Sequence, residues 1–187
     1  MEALLGIGSA FGLSTSAGLN AYIPMLMVSI LGRVGWLDLG EPFNIMESWW
    51  VIGLLSVLLV IEIFVDKIPA VDSVNDMIQT LVRPAAGALM FASQANIITD
   101  VNPLIAVILG IMLAGGVHAT KSTVRPVVTT ASVGTGNWAV SIVEDVIAFF
   151  VSIMSIIVPV LAVICMVVFF ILAFRMYRRR KNKLSFN

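Results

Sequence analysis

The sequence predicts an all-α, polytopic membrane protein with about six transmembrane helices. Of its 187 residues, 59% are hydrophobic and 12% are charged, whereas soluble domains average about 45–50% and about 25%. The apolar residues also come in long blocks, and a helix needs about 20 of them to cross a hydrocarbon core. A single water-soluble globule is therefore a poor fit to this composition.

Six stretches can cross the membrane: residues 3–31, 48–65, 84–98, 103–118, 138–157 and 159–175. The third and fourth are short, so they need neighbouring helices or a thinned bilayer. Pro159 divides the last apolar stretch into two spans, with a single kinked helix as the alternative. We therefore predict one transmembrane domain at residues 1–175, followed by a basic cytoplasmic tail at residues 176–187.

The basic residues set the orientation. Six of the eleven lie between Arg175 and Lys183, and four others fall on the same side as this run once the spans are drawn: Lys67, Arg83, Lys121 and Arg125. Because Lys and Arg are retained on the cytoplasmic side, both termini should be cytoplasmic, as an even number of spans requires. The terminal run is a candidate site for anionic lipid, and no basic surface elsewhere suggests nucleic-acid binding.

Two acidic pairs lie between the second and third spans. Glu62 and Asp66 share one helix face, and Asp72 and Asp76 repeat that spacing after Pro69, which should begin a new helix. Glu62 lies within the apolar run, where an unpaired charge costs roughly 3 kcal/mol. These carboxylates can take up a proton, pair with basic residues or bind a divalent cation, for which Asp66, Asp72 and Asp76 are the candidate ligands.

A second polar segment follows the fourth span and runs from His118 to Asn137. The TLVRP of residues 80–84 recurs there as STVRP at 122–126, which suggests two Arg-Pro helix breaks and a parallel internal repeat. Such breaks are either cytoplasmic loops or re-entrant segments lining a polar cavity. In the re-entrant case, Arg83, Lys121 and Arg125 can receive an anion.

Glu144 and Asp145 lie about two turns into the fifth span. Adjacent helix residues diverge by about 100°, so at least one carboxylate should face a polar interior, where its natural partners are His118, Lys121 and Arg125. In the first span, Asn20 can open a broken helix before Pro24. The serines and glycines around it more often mark close helix packing.

Several motifs resemble a family of small bacterial membrane proteins catalogued as domain of unknown function 4126. The motifs are GLNAYIP at 18–24, EIFVDKIPAVDSVND at 62–76, TLVRPAAGA at 80–88, HATKSTVRP at 118–126 and GNWAVSIVEDVIA at 136–148. The resemblance implies a bacterial inner-membrane location. It implies no activity and no catalytic residue.

Three functions remain open. The favoured one is a translocator of a small ion, polar solute or anionic lipid headgroup. Its predicted coupling residues are Asn20, Glu62, Asp66, Asn137, Glu144 and Asp145. Their predicted charge partners are Arg83, His118, Lys121 and Arg125. The second is a metal-dependent enzyme acting on a phosphorylated lipid, although the sequence offers no nucleophile or base constellation. The third is a structural or assembly subunit. Small-residue helix faces are consistent with a homodimer in each case.

Overall fold

In the computed structural model, the described part of the chain is all-helical: it holds six α-helices, one 3-10 helix and no strand. It comprises residues 2–66, 69–95, 102–132 and 136–159, with single positions at 164, 168, 171 and 175. The α-helices are α1 Glu2–Leu19, α2 Tyr22–Arg33, α3 Trp49–Val65, α4 Pro69–Ala95, α5 Pro103–Ser132 and α6 Gly136–Ile157, and the 3-10 helix is Phe43–Glu47. The predicted all-α class is confirmed for these residues.

Two of the described helices are long and apolar enough to cross a membrane: the Pro103–Arg125 part of α5 and the Trp138–Ile157 part of α6. Two shorter helices, α2 and α3, are also apolar. The sixth predicted span and the basic tail lie almost entirely outside the described residues.

The first predicted span is two helices. The chain breaks between Leu19 and Tyr22, and the Oδ1 atom of Asn20 accepts hydrogen bonds from the backbone amides of Tyr22 at 3.0 Å and Ile23 at 3.2 Å. These amides belong to the first turn of α2, which has no helical carbonyl to bond. Asn20 therefore stabilises the break that its position suggested.

The second predicted span matches α3 closely. Ser48 precedes the helix, and its hydroxyl accepts a hydrogen bond from the amide of Val51. Trp49 and Trp50 are exposed in the first turn, and the guanidinium of Arg33 lies 5.2 Å from the centre of a Trp49 ring. This end of α3 has the aromatic and basic side chains that are typical of a membrane interface.

Helices α4 and α5 form an antiparallel pair in which glycines allow close contact. A Cβ atom on Gly87 would lie 2.6 Å from the carbonyl oxygen of Gly110. Further along the pair, Thr80 of α4 contacts His118 of α5. Helix α4 begins at Pro69, as the sequence predicted.

The predicted Arg-Pro breaks are wrong. Helix α4 continues through Pro84 and α5 continues through Pro126. Proline within a helix removes one backbone hydrogen bond, a loss that packing against neighbouring helices can compensate. The Cγ atom of Pro84 faces Gly115, 3.8 Å from where a Cβ would stand, so α5 leaves room for the ring. The two motifs lie in antiparallel helices, and the predicted parallel repeat is therefore not supported.

Helix α1 packs mainly against α4, α5 and α6. Its serine hydroxyls donate to carbonyls of the neighbouring helices: Ser14 to Gly87 at 2.8 Å, and Ser16 to Ala148 at 2.7 Å. Gly18 leaves so little room that a Cβ would lie 2.6 Å from the carbonyl oxygen of Ala114. The small and hydroxyl residues of the first helix therefore serve close packing, which was the favoured interpretation of the sequence.

Candidate functional site

Polar side chains, most of them ionisable, come from four helices and the α1–α2 break and meet in one largely buried cluster, which we call the polar network. On α5, His118, Lys121 and Arg125 follow a three- and four-residue spacing and share one face. On α4, Asp76, Thr80 and Arg83 do the same and face them. The other members are Asn20, Glu62, Asp66, Glu144 and Asp145.

The deepest part of the polar network is a pair between Glu62 and Arg83. Glu62 lies one turn before the end of α3, and its Oε1 atom accepts from Nη2 of Arg83 at 3.1 Å. The exposed fractions are 2% for Glu62 and 0% for Arg83. Paired charges at this depth are far less costly than isolated ones, which explains how an apolar helix accommodates Glu62.

His118 of α5 continues the hydrogen bonding of this pair toward Thr80 and Asp76 of α4. The Nη1 atom of Arg83 lies 3.1 Å from Nδ1 of His118, and a guanidinium can only donate. Nδ1 must therefore accept, which makes the ring neutral with its proton on Nε2. Nε2 lies 3.1 Å from Oγ1 of Thr80, which in turn donates to the carbonyl of Asp76 at 2.8 Å. A directed chain of hydrogen bonds thus runs from Arg83 to the backbone of Asp76.

A second group of charges is centred on Glu144 of α6. Its Oε2 atom lies 2.9 Å from Nζ of Lys121 and 3.0 Å from Nη2 of Arg125. Arg125 also contacts Oδ2 of Asp66 at 3.1 Å and Oδ2 of Asp76 at 3.6 Å. The predicted pairing of the α6 carboxylates with basic residues of α5 is therefore seen for Glu144.

Asp66 caps the C-terminal end of α3, just beyond its apolar segment. Burial disfavours the charged form of this carboxyl, but Lys121 and Arg125 outweigh burial and hold the pKa of Asp66 below its usual value. Asn75 supports the same ionised form by donating to Oδ1 at 2.9 Å. Asp66 is thus a permanent negative charge of the polar network near neutral pH.

Asp145 points to a different partner from Glu144, as adjacent helix residues must. Its Oδ1 atom accepts from Nδ2 of Asn20 at 2.9 Å. Lys121 reaches the same region, because its Nζ atom donates to the carbonyl of Leu19 at 3.1 Å. The α1–α2 break is therefore tied to both α5 and α6 by polar contacts.

The polar network has more carboxylates than cations among the described side chains. Five carboxylates, Glu62, Asp66, Asp76, Glu144 and Asp145, face three permanent cations, Arg83, Lys121 and Arg125. Within the described residues, the buried polar atoms without a hydrogen-bond partner include the acceptors Oε2 of Glu62, Oδ1 of Asp76 and Oε1 of Gln79 and the donor Nε of Arg83. A bound proton, cation or polar solute would supply the missing positive charge or donors.

The metal-ligand prediction is only partly covered by the structure. Asp66 and Asp76 both contact Arg125, and the side chain of Asp72, the third candidate ligand, lies outside what the structure describes. The side chain of Asn137, a predicted coupling residue, also lies outside it. Within the described residues, no group of three or more His, Cys, Asp or Glu side chains is arranged to hold a metal ion.

One buried participant, a glutamine of α4, was not singled out from the sequence. Gln79 is 1% exposed, and its side chain is hydrogen-bonded to that of Tyr22 next to Glu62 and Arg83. Gln79 lies three residues after Asp76 and four before Arg83, so the helical spacing of charges on α4 was the signal that could have identified it.

A family model described as Domain of unknown function (DUF4126) matches residues 7–179. The matched range includes every residue of the polar network. No curated protein and no solved structure matches the chain.

Proposed function

The chain belongs to the domain of unknown function 4126 family, and we propose that it is a multi-pass membrane translocator whose polar network couples movement of a small ion, polar solute or anionic headgroup to a proton or cation. The proposal rests chiefly on one observation, the buried Glu62 carboxylate that is paired through one oxygen and unpartnered at the other within the described residues. Ionisable groups inside apolar helices are costly and commonly mark ion pathways.

The membrane setting is supported by what surrounds the polar network. Large apolar side chains of α3 are exposed on the face away from it, among them Leu54, Val57 and Phe64. Water would disfavour such a surface, whereas lipid tails would not. We propose six spans in one domain at residues 1–175, with both termini and the tail on the cytoplasmic side of a bacterial inner membrane.

Protonation of Glu62 is the proposed coupling event. A proton on Oε2 would turn that atom from an acceptor without a partner in the described residues into a donor. The same proton would remove the negative charge that holds Arg83. Arg83 would then be free to shift relative to His118. Such a shift would change the chain of hydrogen bonds that runs from Arg83 through His118 and Thr80 to the backbone of Asp76.

The remaining charges have supporting roles in this proposal. Lys121 and Arg125 neutralise Glu144 and Asp66, and together with Arg83 they are the candidate receivers of an anionic substrate. Asp145 and Asn20 connect this group to the α1–α2 break. A translocated solute would have to enter where these elements meet, so the break is the element expected to move.

Flux through proteoliposomes tests the proposal. Purified protein is reconstituted with a pH-sensitive dye inside and a panel of cations, anions and polar solutes outside, and wild type is compared with Glu62→Gln and Glu144→Gln. The matched control is Glu41→Gln, an exposed carboxylate outside the polar network. We expect proton-coupled flux that is lost in Glu62→Gln and retained in the control.

Size-exclusion profiles and thermal unfolding establish that each variant is folded before flux is compared. Flux that is equal in wild type and in both network variants would refute the coupling role. If no solute of the panel shows flux although the protein is folded, translocation is refuted and a structural role for the polar network is favoured.

A further inference from the structure

An apolar groove lies between α2, α3 and α6, next to the polar network and separate from it. Its volume is about 480 Å³, and all of its lining side chains are apolar; they include Ile23, Leu26, Ile30, Ile63, Phe149 and Ile157. It is open on one side, because Ile30, Phe149 and Ile157 are partly exposed. The proposed coupling reaction uses none of these side chains.

The groove runs along α2 from the polar network toward the Trp49 end of α3. Ile23 and Ile63 at one end are the sequence neighbours of Tyr22 and Glu62, and the exposed Trp36 lines the other end. Ten residues of helix separate Ile23 from Arg33, a distance of about 15 Å. That is about half of the ~30 Å hydrocarbon core, so the groove is as long as one lipid leaflet is thick.

Helix spacing puts a cation, Arg33, near the Trp36 end, although Arg33 is not itself a lining residue. On α2, the groove-lining stripe Ile23, Leu26 and Ile30 continues with the same spacing to Arg33. The Arg33 side chain is exposed and stacks over Trp49, which fixes the position of the guanidinium without neutralising it. An apolar channel that leads to a fixed cation is complementary to a molecule with a long tail and an anionic end.

We propose that this groove binds an acyl chain that carries a terminal anionic group, with the chain along α2 and the anion at Arg33. The apolar lining supplies affinity through burial of the chain, and the guanidinium supplies selectivity for the charged end. This proposal does not depend on the translocator proposal, because it uses different residues and predicts binding in the absence of flux.

Photolabelling of the full-length protein in a non-ionic detergent tests it. The probes are a diazirine-bearing palmitic acid and the matching palmityl alcohol, which share the tail and differ in charge. We expect saturable labelling of the segment from Ile23 to Trp36, with the acid binding about tenfold more tightly than the alcohol. Three variants separate the contributions of tail and charge.

Leu26→Trp fills the groove and should weaken both probes. Arg33→Gln should reduce binding of the acid to the level of the alcohol, and Arg33→Lys should restore most of the difference. Val57→Trp is the control, because Val57 is 58% exposed on α3 and does not line the groove.

Labelling that does not saturate, or that Leu26→Trp leaves unchanged, would show only general detergent-like partitioning and would overturn the proposal. Equal binding of acid and alcohol would overturn the role of Arg33. Absence of labelling together with cross-links between two copies at Trp36 would assign the groove to a dimer interface and refute the lipid-binding proposal.

Discussion

Removal of the Arg83 charge should be among the most destabilising single substitutions in the protein. In Arg83→Met, the Glu62 carboxylate loses its 3.1 Å partner while it stays buried at 2% exposure. Removal of one member of a buried ion pair costs about 3–5 kcal/mol, because the remaining charge is left uncompensated. His118 also loses the donor to its Nδ1 atom, whereas proton uptake by Glu62 would limit the loss, so we expect a value near the lower end of that range.

The double variant Glu62→Leu/Arg83→Met provides the internal test. When both charges are replaced by apolar groups of similar volume, the desolvation penalty disappears with the attraction, and such replacements are often neutral. We expect the double variant to be more stable than Arg83→Met by at least about 2 kcal/mol. Arg33→Met is the matched control for loss of an exposed arginine and should cost less than about 1 kcal/mol.

Unfolding in mixed micelles with increasing SDS measures these differences through the fluorescence of the four tryptophans. The decisive quantity is the coupling energy between the two positions. If the losses from Glu62→Leu and Arg83→Met simply add in the double variant, the two side chains do not form an energetic pair and the reasoning is wrong.

Two further predictions concern the helix contact and the α3 cap. Gly87→Ala should lower the unfolding temperature by several degrees, because the new Cβ would lie 2.6 Å from the Gly110 carbonyl oxygen. Gly53→Ala, where nothing lies within 4 Å, is the control, and equal effects of the two substitutions would contradict the close approach of α4 and α5. The pKa of Asp66 is depressed in the folded protein, so its ionised carboxylate adds to the free energy of unfolding. This stabilisation is fully present above the unfolded-state pKa of about 3.9 and is lost as the pH falls through the folded-state pKa. Acid unfolding followed by circular dichroism should therefore show a smaller stability loss below about pH 4 in Asp66→Asn than in wild type, and identical acid profiles would count against the ion pairs of Asp66.

The parts of the polar network that could be predicted from sequence are those that follow from the high cost of burying charge. Glu62 and Glu144 lie in apolar helices, so each needed a cation, and Arg83, Lys121 and Arg125 were the nearest candidates. Helix spacing then determined that Glu144 and Asp145 would find different partners. The start of α4 was predictable for a similar reason, since Pro69 lacks the backbone N–H that the first turn of a helix leaves unbonded.

The errors arose where tertiary contacts override local preference. Pro84 and Pro126 are helix breakers in isolation, but α4 and α5 continue through them, and Gly115 makes space for the ring of Pro84. A similarity between two short motifs also carries no information on helix direction. Helix spacing could place Gln79 on the same face of α4 as Asp76 and Arg83, but its hydrogen bond with Tyr22 at the start of α2 is a tertiary contact that local spacing does not predict.

The break at Asn20 has an electrostatic consequence beyond its side chains. At the end of helix α1, the Leu19 carbonyl accepts a hydrogen bond from Lys121, and α2 begins with amides bonded to Asn20. Each helix end is equivalent to about half an elementary charge, negative at the C-terminus and positive at the N-terminus. Two opposite backbone half-charges therefore stand beside the ionisable groups, and substitution of side chains cannot remove them. A variant with every network carboxylate and cation neutralised would still have a directional electric field at this point, because the field comes from the backbone.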